Sequence, residues 1–493
     1  MDFEEEIPGL PRDEGALLFG YKDSWAREIY ETKYHSDAIR QLKPTAAPSK
    51  VLKDWPLSGE CERFKRTTDN SGLSSAAENS MLDHDRVTIS AFVESLYPEN
   101  DTFNMPFGEM TITPDDAKQI LNLNDHGVAV KYEYTKKLSW EHLYDLCKNC
   151  FGWDKETTYI EFNKCFSYKT RQFNMIQLIK MFKGTIENEH QGTLSDAEVD
   201  VAATAYLLAV LGCVIFPNTS GNRVDAKLLQ LLHPPNKVVD YSWGTTTIVF
   251  FMAELRKASR LRTSQIAGNV SLFQTWIHDH YPSLKLEDVN TTWERCTPRG
   301  TKYKFTKNRS RAKEQQLVSL REKLDLLKAS EVCFDPYKED RASGHIAGRS
   351  ELSYYFGPLW HPTCYVMYNG SRVMRKYGSF QTVPWHHING KFKLDVEHIE
   401  SNQDNIKVVY SGTPSVTEHW DKRQYHLVNA GRAVNRGDEN ALYGVVNKFN
   451  FLSKWCIDYI TDGQLVPIEK IKKHMEMIDN VDNEEYAAEF GRK

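Results

Sequence analysis

The sequence predicts a mainly α-helical protein: one large helical domain carrying a small β-hairpin and minor strand content. Three observations lead there. Ser195 and Glu198 have the S-x-x-E spacing of a capping box, and behind them Val201–Phe216 is apolar except at Thr204, Tyr206 and Gly212. Two more runs, Asp240–Arg260 and Ile266–Pro282, are also heavily apolar. Between Thr102 and Leu123, alternating residues around a Pro–Phe–Gly turn lead straight into a strongly marked helix start. A helix apolar on every side must be buried, in a large core or in a membrane. Sixteen residues at about 1.5 Å each reach roughly 24 Å, short of a ~30 Å hydrocarbon layer. The flanking acids Asp196, Glu198 and Asp200 also suit a soluble interior, so no membrane is expected.

Bulk properties agree with a folded soluble chain. Of 493 residues, 40% are hydrophobic, 26% charged and 12% aromatic, which rules against disorder. A net charge of -5 gives no global reason to bind nucleic acid, so such binding would need a local basic patch. The N-terminus, MDFEEEIPGL, lacks the basic and apolar regions of a secretion signal. Nine scattered cysteines suit a reducing compartment better than a disulfide framework, so a cytosolic or nuclear protein is expected.

Taken in order, residues 1–80 read as an N-terminal extension: one helix within Leu17–Tyr34, capped near Asp23 or Ser24, then two linker-like stretches, LKPTAAPSKVLKDWPLSG and TTDNSGLSSAAENS. Val87, Ile89, Phe92, Val93 and Leu96 share a helical face that Pro98 ends. Thr113 is placed to cap a helix with Pro114 at its first position, and Asp115 and Asp116 load its first turn with negative charge. Residues 139–182 suggest two or three more helices, including SWEHLYDLCKNCFGW. Residues 299–313 read as a basic loop leading into a helix with Leu317, Leu320, Leu324 and Leu327 on one face. A strand at Cys364–Tyr368 and a turn at Asn369-Gly370 follow. Two helices come after Ser415, and residues 464–493 form an amphipathic helix with an acidic tail.

The chemistry sought is mostly absent. There is no P-loop, no G-x-G-x-x-G after a strand, no H-E-x-x-H and no G-x-S-x-G. Cys147 and Cys150, with His142 and Cys165, could supply four zinc ligands, yet one CxxC on a helix more often places two small apolar side chains. His386, His387 and His398 near Glu397 have no ligand spacing. The run Arg299–Lys313 has interleaved Tyr303 and Phe305, as a nucleic-acid patch or nuclear localisation signal would, or as any solvated loop could.

Four segments in fixed order resemble the plant mobile domain family (also labelled aminotransferase-like) over about Leu82–Gly463, within a domain read as residues 81–463. They are TFNMPFGEMTITPDDAKQILNL, YLLAVLGCVIFPNTSGNR, YSWGTTTIVFFMAELRKAS and RVMRKYGSFQTVP. Members occur in plant transposable elements and as host nuclear proteins similar to the maintenance-of-meristems proteins. The resemblance implies roles in meristem maintenance, genome integrity, transposon silencing and gene expression. Some relatives are fused to, or partner, a phosphatase of the metallophosphoesterase type. No G-D-x-H-G, G-D-x-x-D-R-G or G-N-H-E stands here, and no lysine sits in a pyridoxal-phosphate context, so neither phosphatase nor aminotransferase activity carries over.

The expectation is therefore a non-enzymatic protein-interaction platform of the nucleus, with the cytoplasm as a second compartment. It would need no cofactor, and its partners would be nuclear proteins, a phosphatase homologue among them. Glu109, Thr113, Asp116, Arg223, Trp243, Gly244 and Arg375 are its expected structural motif residues. The alternative is a transposon-derived nucleic-acid binder using Lys302, Lys304, Lys307, Arg309 and Arg311. An enzyme is the poorest reading.

Overall fold

A computed structural model describes residues 20–32, 38–45, 51–130, 134–167, 171–219, 221–295, 297–304, 313–378, 396–410 and 416–427. Its centre is the Asp196–Val210 helix. Ser195 Oγ accepts from the Glu198 amide, while the Glu198 carboxylate accepts from the Ser195 amide at 2.8 Å, so the capping box is complete. The chain then winds as a π-helix over Leu211–Ile215, where a Cβ on Gly212 would stand 2.7 Å from the Val224 Cβ. The helical run Asp196–Ile215 is thus 20 residues, long and apolar enough to cross a membrane. Length does not separate the two environments here. Burial does, because Ala202–Ile215 is buried throughout by the protein's own side chains.

The Trp243–Ala258 and Val270–His280 helices complete the apolar centre. Phe273 links an aromatic chain in this core, with ring centroids 5.3 Å from Phe103, 6.0 Å from Trp276 and 5.5 Å from Phe251.

Residues 51–80, most of them read as linker, are structured. Glu62–Asn70 and Ser74–Asn79 are helices, and Trp55, Phe64, Leu73, Ala76 and Ala77 are buried in the main core. Trp55 and Phe64 pack edge-on against Tyr206 or beside it, at 5.3 and 5.7 Å. Buried Glu60 accepts from Trp55 Nε1 at 2.8 Å and from the Gly184 and Thr185 amides at 2.9 Å. The small polar residues mislead because Thr68, Ser71 and Ser80 donate to backbone carbonyls three or four residues back while Ala76 and Ala77 are buried. Further upstream, Trp25–Glu31 is helical with Ser24 as its cap, as expected.

The expected hairpin is present: Thr102–Met105 pairs antiparallel with Gly108–Met110. Leu96–Tyr97, read as helix, instead adds a third strand, since the preceding helix stops at Glu94. Phe356–Trp360 pairs antiparallel with Tyr365–Asn369, where a strand over Cys364–Tyr368 was expected, and Val396–Ser401 pairs with Ile406–Tyr410 as further strand content. The Lys313–Asp325 helix buries Leu317, Leu320 and Leu324.

The chain separates into two compact units: residues 1–373 with 383–428, and residues 374–382 with 429–493. Of the smaller unit, residues 374–378 are described. The helices expected beyond residue 428, and His386 and His387, lie outside the described residues.

Candidate functional site

The densest set of buried charges lies where the Pro114–Leu121 and Val270–His280 helices meet residues 299–303 and 333–350. Thr113 caps the first helix as expected. Its amide and hydroxyl both donate to Asp116 Oδ2 at 2.7 Å, and the Asp116 amide donates back to Thr113 Oγ1. Helix-start electrostatics is only part of what Asp116 does. Its other oxygen accepts from Tyr337 OH at 2.9 Å and faces His280 Nε2 at 3.1 Å, and neither Asp116 nor His280 has exposed surface. His280 Nδ1 is 2.7 Å from the Cys333 carbonyl. Both ring nitrogens therefore face oxygens, one of a carbonyl and one of a carboxylate.

Asp279, one residue earlier, faces the next element. It accepts from Arg299 Nε at 2.6 Å and Tyr303 OH at 2.6 Å, with Lys302 Nζ at 3.8 Å. Burial works against the Arg299 charge, but Asp279, Tyr337 and Asp340 outweigh it and hold that guanidinium above its usual pKa. Asp115, on the same turn as Asp116, accepts from Gln119, the Ser350 amide and Arg341. Burial raises its pKa despite these donors. Arg341 and Arg349 both also reach Asp335. Beside this network opens a cleft of about 300 Å³, bounded by Lys118, Ile120, Trp293, Arg295, Ile346 and Ala347 among others.

The other motif residues hold the segments to one another. Arg256 makes a two-point contact with Asp101, 2.6 Å at each end, which ties the hairpin to the Trp243–Ala258 helix. Glu109 accepts from Arg372 at 2.7 and 2.9 Å. Trp243 is fully buried and its Nε1 donates to the Val238 carbonyl at 2.7 Å. The Gly244 amide donates to the Asn124 carbonyl at 2.7 Å, and a Cβ there would stand 3.3 Å from that oxygen, so the approach favours glycine. Glu109 and Arg372 thus join the first and last sequence segments directly, and the third is tied to residues that flank the first, Asp101 and Asn124. The model of the plant mobile domain matches residues 72–444.

The chain belongs to the plant mobile domain family. Among curated relatives, Protein MAIN-LIKE 1 of Arabidopsis thaliana is 25% identical over 425 residues, covering 84% of this chain and 76% of the relative. Protein MAINTENANCE OF MERISTEMS of Arabidopsis thaliana is 26% identical over 367 residues, 71% of this chain and 67% of the relative. A serine/threonine-protein phosphatase 7 long form homolog of the same plant is 25% identical over 354 residues; they cover 68% of this chain and only 24% of that protein. No solved structure matches.

Within this plant mobile domain, Arg223 starts the Arg223–Asp225 strand and is exposed, with no side-chain partner among the described residues. Its carbonyl accepts from Asn218 at 3.3 Å. Arg375 lies on the Gly370–Tyr377 3-10 helix and is half-buried. The basic run divides. Arg299 is buried in its ion pairs, Lys302 leans on Asp279 and on the Trp293 ring at 5.9 Å, and Lys304 is exposed at a strand end. Lys307, Arg309 and Arg311 lie outside the described residues. Cys147 and Cys150 face the core while His142 stays exposed at the helix start. Burial raises both thiols, Cys150 to about 12. Sequence reasoning missed His280, Tyr337 and Asp279, whose only signal was their setting within otherwise apolar or loop-rich segments, and read Arg299 as part of a basic loop, whereas its side chain is buried.

Proposed function

We propose that this plant mobile domain is a non-catalytic protein-interaction platform acting in the nucleus, in meristem maintenance or development through gene expression or transposon silencing. Curated relatives named for the maintenance of meristems support the developmental part. One observation carries the non-catalytic part. The acid–base set at the centre of the buried charge network is Asp116 with His280 and Tyr337, and all three side chains are sealed from solvent. A group that cannot touch a substrate positions helices instead. Partners are nuclear proteins. A phosphatase homologue is a reasonable one, since a relative named as a phosphatase homolog contains a matching segment.

The test is affinity purification of the tagged full chain from plant nuclei, together with imaging of its location. Nuclear accumulation and reproducible recovery of defined protein partners are expected. A chain that stays cytosolic and recovers no nuclear partner would count decisively against the reading.

A further inference from the structure

We propose that the Nε–Nη2 edge of Arg40, stacked on Trp25, binds a small oxyanion that presents two oxygens side by side. Other arginines of this protein show what that edge is for. Arg256 sets Nε and Nη2 against the two oxygens of Asp101 at 2.6 Å each, and Arg321 sets them against Glu94 at 2.7 and 2.8 Å. This side-on fork is the geometry that recognises a carboxylate or a phosphate. Arg40 is anchored through its remaining nitrogen. Nη1 donates to the Arg260 and Thr263 carbonyls at 2.7 and 2.8 Å, whereas Nε and Nη2 are buried without a hydrogen-bond partner. The guanidinium carbon lies 4.7 Å from the centre of the Trp25 ring, and Trp25 Nε1 is buried and unpartnered as well. One stacked pair thus holds three orphaned donors, a penalty that folded proteins ordinarily avoid.

Charge points the same way. Glu94 attracts Arg40, but both of its oxygens are held by Arg321. Neither Arg40 nor Arg260 has an ion pair among the described residues. Burial pulls both guanidiniums down to about 10, and at Arg40 the charges of Arg260 and Arg321 add to the effect. A water would bring protons as well as lone pairs to this set of donors, whereas an oxyanion brings lone pairs and the missing negative charge. Arg40 and Trp25 are each half-buried, so a small ion has a short path to the pair, but the donors themselves have no exposed surface for a peptide or a nucleic acid to meet. Because Arg40 also holds the carbonyls just beyond the Trp243–Ala258 helix, the occupant would fasten the N-terminal segment to that helix end.

The test is isothermal titration calorimetry of the full chain with sodium acetate and, separately, with inorganic phosphate, in Tris chloride at constant ionic strength. Saturable one-to-one binding of at least one anion is expected, and the tighter of the two tells whether a carboxylate or a phosphate is the natural group. Arg40→Lys keeps the charge but loses the fork, and should lose about tenfold or more in affinity. Trp25→Phe keeps the ring, loses one donor and should bind several-fold more weakly. Both variants should melt with the wild type in buffer free of oxyanions; if Arg40→Lys does not fold, Trp25→Phe decides. Absence of saturable heat with both anions overturns the proposal, as does the same heat from sodium chloride. Binding that survives undiminished in the variants is an adventitious ion only, and overturns it too.

Discussion

Arg299 Nε lies 2.6 Å from Asp279 Oδ2, and the carboxylate is wholly shielded from solvent. The first cation of the basic run is therefore an internal ion-pair partner, joined also to Asp340 at 3.0 Å. Removing one member of such a pair leaves the other charge buried and uncompensated. Arg299→Gln should cost about 3–5 kcal/mol, measured by urea denaturation. A loss under about 1 kcal/mol would show that the pair is not a structural clamp.

Leu208 sits at the middle of the central helix with no exposed surface. Leu208→Asp puts an unpaired carboxylate there and should cost several kcal/mol, a large share of the ~5–15 kcal/mol that holds a domain folded. The expected result is an insoluble or non-cooperatively melting protein by circular dichroism. A soluble variant with a sharp transition would mean that the helix is peripheral.

Burial holds His278 at about 4, against an ordinary 6.5, in spite of the nearby Asp279 and Asp85 carboxylates. Its Nε2 is buried without a hydrogen-bond partner, and its ring lies 4.9 Å from that of Tyr303. The folded state therefore disfavours the imidazolium. Stability is intact above about 6.5 and is lost as pH falls toward 4, because the unfolded chain takes up the proton first. His278→Gln should flatten the pH dependence of unfolding free energy in that window by up to about 1.4 kcal/mol per pH unit. An unchanged slope would show that His278 is protonated in the fold.

Arg299 and Lys302 are committed to Asp279, which takes two of the seven cations of residues 299–313 away from nucleic acid. Electrophoretic mobility shifts with short duplex and single-stranded DNA should show only weak binding, in the non-specific range of about 10⁻⁴–10⁻⁶ M. Replacing Lys302, Lys304, Lys307, Arg309 and Arg311 by Gln should remove that residue of affinity. Nanomolar binding at physiological salt, abolished by the same replacements, would instead establish the run as a nucleic-acid site.

Legibility followed range. The Ser195–Glu198 and Thr113–Asp116 caps were readable because each is made by residues three apart. The hairpin at Thr102–Met110 was readable because alternation and a turn are local. The helices at 62–79 were not, since their apolar stripe is only Phe64, Leu73, Ala76 and Ala77 set among small polar residues. For the candidate site, Asp116 was visible as a helix start, but its second role with His280 and Tyr337 joins residues 164 and 221 positions away.

By itself the sequence determined that the protein is mainly helical, that the apolar run Val201–Phe216 packs into the core, and that the four motif segments mark a plant mobile domain. Capping, periodicity and apolar runs act within one or two turns of chain, so they can be read without knowing what lies opposite. Tertiary structure alone decided that Arg299 turns inward and that Asp116 serves both a cap and a buried histidine. Those outcomes depend on which charge meets which across the core. A buried charge is tolerated only where folding delivers its partner, and no local pattern records that meeting.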